Sequence, residues 1–186
     1  MAGPLAGIKI LDFTRYQQGP SATVMLAELG AEVLKVEPPG GDPGRMLRRF
    51  ADGFASYFEV LNRGKQSIVV DLRQPGGTAV ICRLARQVDV VVENFRPGVM
   101  DRLGVGYEAL SALNPRLIFA SASMFGPRGP RARHPGYDTI AQAAGGMVMA
   151  TRRPGDDLGT PLGGTADQVG GMMLAYGILA ALMHRE

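Results

Sequence analysis

Five short apolar segments recur along the chain, and turn residues and helical patterns separate them. The segments cover residues 8–13, 32–36, 67–72, 88–93 and 117–122. The helical patterns cover residues 21–29, 78–86, 99–103, 107–113, 138–145 and 166–183. Strands that alternate with helices pair in parallel, because each crossover helix returns the chain to the same edge of the sheet. The sequence therefore predicts an α/β fold with a Rossmann-like, doubly wound parallel sheet.

Length and composition are those of one globular domain. The chain has 186 residues, of which 46% are apolar and 20% charged, so we expect one core rather than two. The net charge of +3 suits a phosphorylated small ligand but is too mild for a nucleic-acid-binding surface, and we expect no nucleic-acid partner. The single cysteine, Cys82, excludes an internal disulfide, and its place in a helical pattern favours a role as a core filler.

The sequence also carries an expectation about location. No apolar run approaches the roughly 20 residues that span a bilayer, so we expect no membrane association. Residues 1–7 lack the basic stretch and following apolar stretch of a secretory signal. These two observations predict a cytoplasmic protein.

Polar side chains gather in the loops that leave the carboxyl ends of the predicted strands, which is where sheets of this type bind ligands. These loops cover residues 14–19, 37–44, 94–98 and 123–136. Their arginines and amides, which could clamp phosphates, are Arg15, Gln17, Gln18, Arg45, Asn94, Arg96, Arg128, Arg131 and Arg133. For any single arginine, the simpler interpretation is a solvated loop charge.

Carboxylate chemistry is the catalytic option that the residues leave open. There is no G-x-G-x-x-G after the first strand and no Walker A loop, and two histidines with one cysteine make a zinc site or a serine triad hard to assemble. Asp167 stands between Gly164 and Gly170 at the start of the last helical pattern, where a helix N-terminus would favour an exposed, ionised carboxylate nucleophile. Local sequence alone favours a plainer role, in which Asp167 or Thr165 caps the helix.

A series of longer motifs follows in order along the chain. They occupy residues 5–15, 29–43, 61–73, 92–104, 113–118 and 135–138, followed by Gln142 and Ala143. In content and order they resemble the class III (CaiB/BaiF-type) coenzyme A transferases, over nearly the whole chain. The resemblance implies that residues 1–186 are the N-terminal portion of the large domain of an interlocked-dimer transferase, truncated relative to the family.

The resemblance implies a mechanism with Asp167 as the nucleophile. In the family, an aspartate attacks an acyl-CoA thioester, and an aspartyl anhydride and then an aspartyl-CoA thioester carry the transfer of CoA to a free carboxylic acid. Coenzyme A is a substrate in this scheme, and no prosthetic group is implied. The family's remaining half, with a glycine-rich loop that shields the aspartate, is absent here. The implied partner is therefore an interlocked second copy or a complementing C-terminal polypeptide.

The resemblance also implies which residues bind coenzyme A. The matching positions are Gln17, Gln18, Arg73, Asn94, Phe95, Arg102 and Tyr137. Arginines would contact the phosphates, amides the pantetheine, and Phe95 the adenine or another apolar group. Pro38 occupies a position where the family often has an arginine, so that phosphate contact is not expected here.

Two alternatives to CoA transfer stay open. The α-methylacyl-CoA racemases of the same superfamily have a histidine where this chain has Tyr137, and His134 is displaced by three residues. Because tyrosine is a poor base at neutral pH, the position favours transfer over racemisation. The second alternative is a fragment that binds CoA without catalysis.

Overall fold

The computed structural model describes residues 3–47, 50, 53, 55–155, 157, 159 and 161–185. In this part of the chain, one parallel sheet is formed by β1 (Lys9–Asp12), β2 (Glu32–Glu37), β3 (Gln66–Val69), β4 (Val90–Glu93) and β5 (Ile118–Ser121). The strand order is β3-β2-β1-β4-β5, with β1 at the centre. The sequence-based prediction of an α/β fold with a Rossmann-like parallel sheet is confirmed.

Eight α-helices connect and flank these strands within the described residues. They are α1 (Gln18–Glu28), α2 (Ser56–Asn62), α3 (Pro75–Ala85), α4 (Val99–Arg102), α5 (Tyr107–Ser111), α6 (Asp138–Ala144), α7 (Met147–Ala150) and α8 (Thr165–Arg185). A short 3-10 helix, Pro43–Met46, follows β2.

Helices cover both faces of the sheet because neighbouring strand residues point to opposite sides. Ile10 packs with α1 and α8 in one core, whereas Leu11 packs with α3, α4 and α5 in the other. The inner strand β4 has no exposed residue, as expected for a parallel strand covered on both faces. Cys82 is partly buried against the second core, which confirms its predicted role as a core filler.

The predicted strands agree with the observed ones within two or three residues, but some helices differ. The helices α1 and α3 each begin three residues earlier than predicted, with Pro20 in the first turn of α1 and Pro75 as the first residue of α3. Proline is favoured in a first helical turn, because the N–H that it lacks would have no partner there. The short helices α2 and α7 and the 3-10 helix were not predicted.

The helix α8 corrects one expectation about the chain. By length and composition it is apolar enough to cross a membrane, although we expected no apolar segment of that length. The charged residues of α8 lie at its two ends, and the residues between them are almost all apolar or glycine. Within this fold, α8 places Ala175, Ile178 and Leu182 in the first core, while Met172 and Tyr176 on its other side are exposed.

Candidate active site

A cleft of about 380 Å³ opens at the carboxyl edge of the sheet. Its walls come from the loops after β1, β4 and β5 and from the first turn of α8, in agreement with the ligand-binding edge of such sheets. Six of the eight site residues proposed from the sequence line this cleft: Gln17, Gln18, Asn94, Phe95, Tyr137 and Asp167. The other two, Arg73 and Arg102, do not line it.

Asp167 lies in the first turn of α8 and is partly buried. Burial, and secondly the nearby charge of Asp138, raises the pKa of Asp167 from 3.8 to about 6. This differs from the exposed, dipole-stabilised carboxylate expected from the sequence. The loss of hydration and the like charge outweigh the favourable end of the helix. The carboxylate is therefore still mostly ionised at neutral pH, but in a less stable form than in water.

The first turn of α8 is capped by a residue from another helix. Asp138, the first residue of α6, accepts hydrogen bonds from the backbone N–H of Gly164 (2.9 Å) and of Asp167 (3.1 Å). Burial would raise the pKa of Asp138, but the backbone N–H groups of Asp167 and Gly164 hold it below its ordinary value. The capping role that local sequence favoured for Asp167 or Thr165 is thus performed by Asp138, which leaves the Asp167 carboxylate facing the cleft.

Gln142 supports the same turn from one helical turn further along α6. Its side-chain N–H donates to the carboxylate of Asp138 and to the carbonyl of Leu162, both at 2.6 Å, and its oxygen accepts from the N–H of Leu162 at 3.0 Å. Sequence reasoning missed the structural role of both side chains. The available signal was their spacing of four residues, which places them on one face of a helix.

Gln17 and Gln18 lie where the start of α1 contacts the start of α8. The side-chain N–H of Gln17 donates to the carbonyl of Gly164 at 3.3 Å. A Cβ at Gly170 would lie 2.6 Å from the Gln18 side-chain nitrogen, and a Cβ at Gly171 would lie 2.7 Å from the Gln18 carbonyl oxygen. Because Gly170 and Gly171 have no side chains, α1 can pack closely against α8 at these two positions. Gly177, further along α8, faces open space.

Asn94 connects the loops after β4 and β1. Its side-chain oxygen accepts from the N–H of Arg15 at 2.8 Å, and its side-chain N–H donates to the Arg15 carbonyl at 2.9 Å. The Arg15 guanidinium lies 4.8 Å from the centre of the Phe95 ring. The Asn94 amide therefore holds the two loops together, a role that the sequence did not indicate.

A second cleft, of about 360 Å³, adjoins the first and shares Arg15 and Phe95 with it. The loops after β2 and β3 complete it, and both Pro38 and Arg73 line it. The guanidinium of Arg73 makes two hydrogen bonds, of 2.8 and 3.0 Å, with the carboxylate of Asp71. Arg102 is exposed on α4, next to Leu103 of the cleft wall, and lines neither cleft.

Tyr137 occupies the position where the related racemases have a histidine, so it bears on the choice between transfer and racemisation. It is 67% exposed, and its ring meets the ring of Tyr16 edge-on, with 6.1 Å between centroids. Tyr16 has a φ of +62°, a left-handed conformation that is rare for bulky residues. His134 lines the same cleft, with its ring edge-on to Phe125. Among the described residues, no group of three histidine, cysteine or acidic side chains could hold a metal ion.

Two curated relatives resemble this chain over its whole length. It is 48% identical over 187 residues to acetyl-CoA:oxalate CoA-transferase of Acetobacter aceti, a match covering 99% of this chain and 48% of the relative. It is 46% identical over 191 residues to formyl-CoA:oxalate CoA-transferase of Escherichia coli, covering 100% of this chain and 45% of the relative. The chain thus spans about half the length of the curated relatives it matches.

The fold is similar to half of a larger solved structure. A CAIB/BAIF family protein from Brucella suis matches with a TM-score of 0.91 and 38% identity, over 100% of this chain and 50% of that chain. The sequence model of CoA-transferase family III matches residues 5–186. The family resemblance inferred from the ordered motifs is confirmed, and this chain belongs to CoA-transferase family III.

Proposed function

We propose that the protein transfers coenzyme A from an acyl-CoA thioester to a free carboxylic acid, with Asp167 as the nucleophile. The observation that carries this proposal is the partly buried Asp167 carboxylate, with a pKa raised to about 6, in a cleft between family-matched residues. At pH 7 such a group is about nine-tenths ionised. Because its charge is poorly solvated, its oxygen is a better nucleophile than that of an aspartate in water.

The transfer consists of two steps and their reversal. A carboxylate oxygen of Asp167 attacks the thioester carbonyl, the C–S bond breaks, and a mixed anhydride and CoA thiolate result. The thiolate then attacks the Asp167 carbonyl carbon, which forms an aspartyl-CoA thioester and releases the first acid. The acceptor acid attacks that thioester and regenerates the thiolate with a new anhydride. Thiolate attack on the new acyl carbon yields the product thioester and free Asp167.

The two adjoining clefts support a simple placement of the CoA substrate. The nucleotide end would occupy the second cleft, where the exposed Arg73 and the nearby Arg102 supply positive charge for phosphates. The pantetheine would pass Phe95, which is common to both clefts, and bring the thioester to Asp167. Gln17, Gln18 and Tyr137 would then border the reacting end, and Asn94 would act by holding the loops in place.

A small dicarboxylate is the acceptor that we propose to test first. The two curated relatives are named as oxalate CoA-transferases, one with acetyl-CoA and one with formyl-CoA. In this chain Arg15 and Arg96 line the same cleft as Asp167. Their positive charge supports a substrate whose second carboxylate stays ionised while the first reacts.

A second chain forms part of the proposal, either an interlocked copy or a C-terminal polypeptide that completes the site. The support is the exposed apolar side chains of α8, among them Met172, Met173 and Tyr176. The cytoplasmic location stays a prediction.

The test combines transfer with chemical trapping. The protein, with formyl-CoA or acetyl-CoA and isotopically labelled oxalate, should form labelled oxalyl-CoA, and hydroxylamine added during turnover should convert Asp167 to a hydroxamate detectable by peptide mass. Asp167→Ala should abolish both signals, whereas Glu108→Ala, which removes an exposed carboxylate outside both clefts, should change neither. Transfer by Asp167→Ala at the unsubstituted rate would overturn the proposal.

The same assay separates the two alternatives. Exchange of the α-proton of an acyl-CoA with deuterium, without acyl transfer, would indicate a racemase-type isomerase. CoA binding by calorimetry with neither reaction would indicate a binding fragment.

A further inference from the structure

Asp12, the last residue of β1, is completely buried, and its carboxylate accepts four hydrogen bonds. Its carboxylate accepts from the N–H of Thr14 at 2.8 Å, from the Thr14 hydroxyl at 2.5 Å and from the Thr23 hydroxyl at 2.7 Å. The fourth donor is the ammonium group of Lys65, at 3.1 Å. Lys65 comes from the turn between α2 and β3, so the network joins segments far apart in the chain.

The ammonium group of Lys65 also contacts the first turn of α1. Besides Asp12, it lies within hydrogen-bond distance of the Pro20 carbonyl (3.3 Å), the Thr23 hydroxyl (2.8 Å) and the side-chain oxygen of Asn62 (3.0 Å). Only 1% of the Lys65 side chain is exposed. Its charge is thus neutralised by Asp12 and used to hold a backbone carbonyl.

A second buried ammonium group contacts the chain just before α1, at the other end of the segment formed by residues 15–19. Lys35, from β2, donates to the Thr14 carbonyl at 2.7 Å and pairs with the Asp42 carboxylate at 2.8 Å. The carbonyls of Thr14 and Pro20 bracket residues 15–19. Two buried lysines therefore fix the turn before and after the two glutamines that border the active cleft.

Residues 15–19 in turn contact the start of α8, on which the Asp167 carboxylate lies. Among these residues, Gln17 donates to the carbonyl of Gly164, and the side chain of Gln18 lies against Gly170. These two glycines stand on either side of Asp167 at the start of α8. We propose that Lys65 and Lys35 are positioning residues, which act through residues 15–19 to set the geometry of Asp167.

The energetics of buried ion pairs distinguish positioning from mere stabilisation. A buried pair is often replaceable by apolar residues without loss of stability, whereas removing one partner leaves an unpaired charge. If the network only stabilised the fold, replacing both Asp12 and Lys65 by uncharged residues would restore the stability, the order of residues 15–19 and the transfer rate together. If it positions the turn, stability would return while the order of the turn and the transfer rate would not.

The experiment compares Lys65→Met, the double variant Asp12→Asn/Lys65→Met, and Arg63→Met as a matched control. Arg63 stands in the same turn as Lys65, but it is about half exposed and pairs with Glu28 on the surface. Three quantities are measured on this chain. They are the urea midpoint, the hydrogen exchange of a peptide spanning residues 14–22 relative to one spanning residues 107–113, and the kinetics of CoA transfer, given as kcat and KM.

We expect the double variant to recover most of the urea midpoint that Lys65→Met loses. Its 14–22 peptide should still exchange about tenfold faster than that of the unsubstituted protein, with the 107–113 peptide unchanged. Its kcat should stay about tenfold or more lower with a smaller change in KM, because misplacement of a nucleophile affects the chemical step. Arg63→Met should leave all three quantities unchanged.

Unchanged exchange of residues 14–22 in the double variant, or an unchanged kcat, would overturn the positioning role. The positioning role rests on the proposed CoA transfer only for its kinetic readout. If the unsubstituted protein shows no transfer, the proposed function fails, and the exchange measurement alone decides whether the Asp12–Lys65 pair holds residues 15–19.

Discussion

Replacing Asp167 by asparagine should make the protein more stable at neutral pH while abolishing transfer. The pKa of Asp167 rises from 3.8 to about 6 in the folded chain because of burial and the nearby Asp138 charge. A shift of about two pKa units corresponds to about 3 kcal/mol at full value. Since the side chain is only partly buried, solvent screening reduces the expected effect to about 1–2 kcal/mol.

The sign of this effect depends on pH in a defined way. The folded chain binds the Asp167 proton more tightly than the unfolded chain does. This stabilisation by protonation is complete below about pH 4 and is lost as the pH rises to and beyond 6. Asparagine has no proton to lose. The variant's advantage in the free energy of unfolding should therefore grow between about pH 4 and pH 7 and level off above.

Urea unfolding at about pH 5 and about pH 8 measures this difference directly. The Asp167→Asn variant should exceed the unsubstituted protein by about 1–2 kcal/mol at the higher pH and by clearly less at the lower. Glu108→Gln, an exposed carboxylate on α5, serves as the control and should show no such trend. An Asp167→Asn variant that gains no stability at pH 8, or gains equally at both pH values, would refute the reasoning.

Four further substitutions test the contacts around the site. Gly171→Ala should destabilise the fold by about 1–3 kcal/mol in urea, because its Cβ would meet α1 at 2.7 Å, whereas Gly177→Ala, in open space, should stabilise it by about 0.5–1 kcal/mol; equal effects would contradict the close contact. Asp138→Asn should lower the pKa of Asp167 in carboxyl NMR titrations, since a neighbouring negative charge is removed, and an unchanged pKa would argue against the coupling. Asn94→Ala, which loses two hydrogen bonds to one backbone segment, should cost about 1–3 kcal/mol in urea, and a loss below about 0.5 kcal/mol would exclude that role.

The strands, and the loops that line the cleft at their carboxyl ends, could be predicted because their signals are local. An apolar run such as that around Val90 encodes a buried parallel strand by itself, and the loops at strand ends follow from the topology. Asp167 could be singled out because it follows a series of family-like motifs that occur in order along the chain. Its burial could not, because burial depends on how α1 and α6 pack against α8.

Long-range partners account for the rest of the differences. Asp138 caps a helix that begins 27 residues later in the chain, and no local pattern marks an acceptor at that separation. The Asn94 amide is equally suited to a ligand or to a backbone segment, and only the fold brings the Arg15 backbone within its reach. The helices α2 and α7 have seven and four residues, too few to show a clear helical period.

The glycine pair in α8 has a consequence for rotation about the helix axis. Successive residues of an α-helix point about 100° apart, so turning α8 by one residue would swing Asp167 out of the cleft. Close contact with α1 at Gly170 and Gly171 prevents α8 from rotating about its axis, because any other residue facing α1 would bring a side chain into the contact. The ion pair between Arg185 and Asp89, at 2.8 Å, secures the opposite end about 27 Å away. Gly170 and Gly171, which have no side chains, therefore determine how the Asp167 carboxylate is oriented toward the cleft.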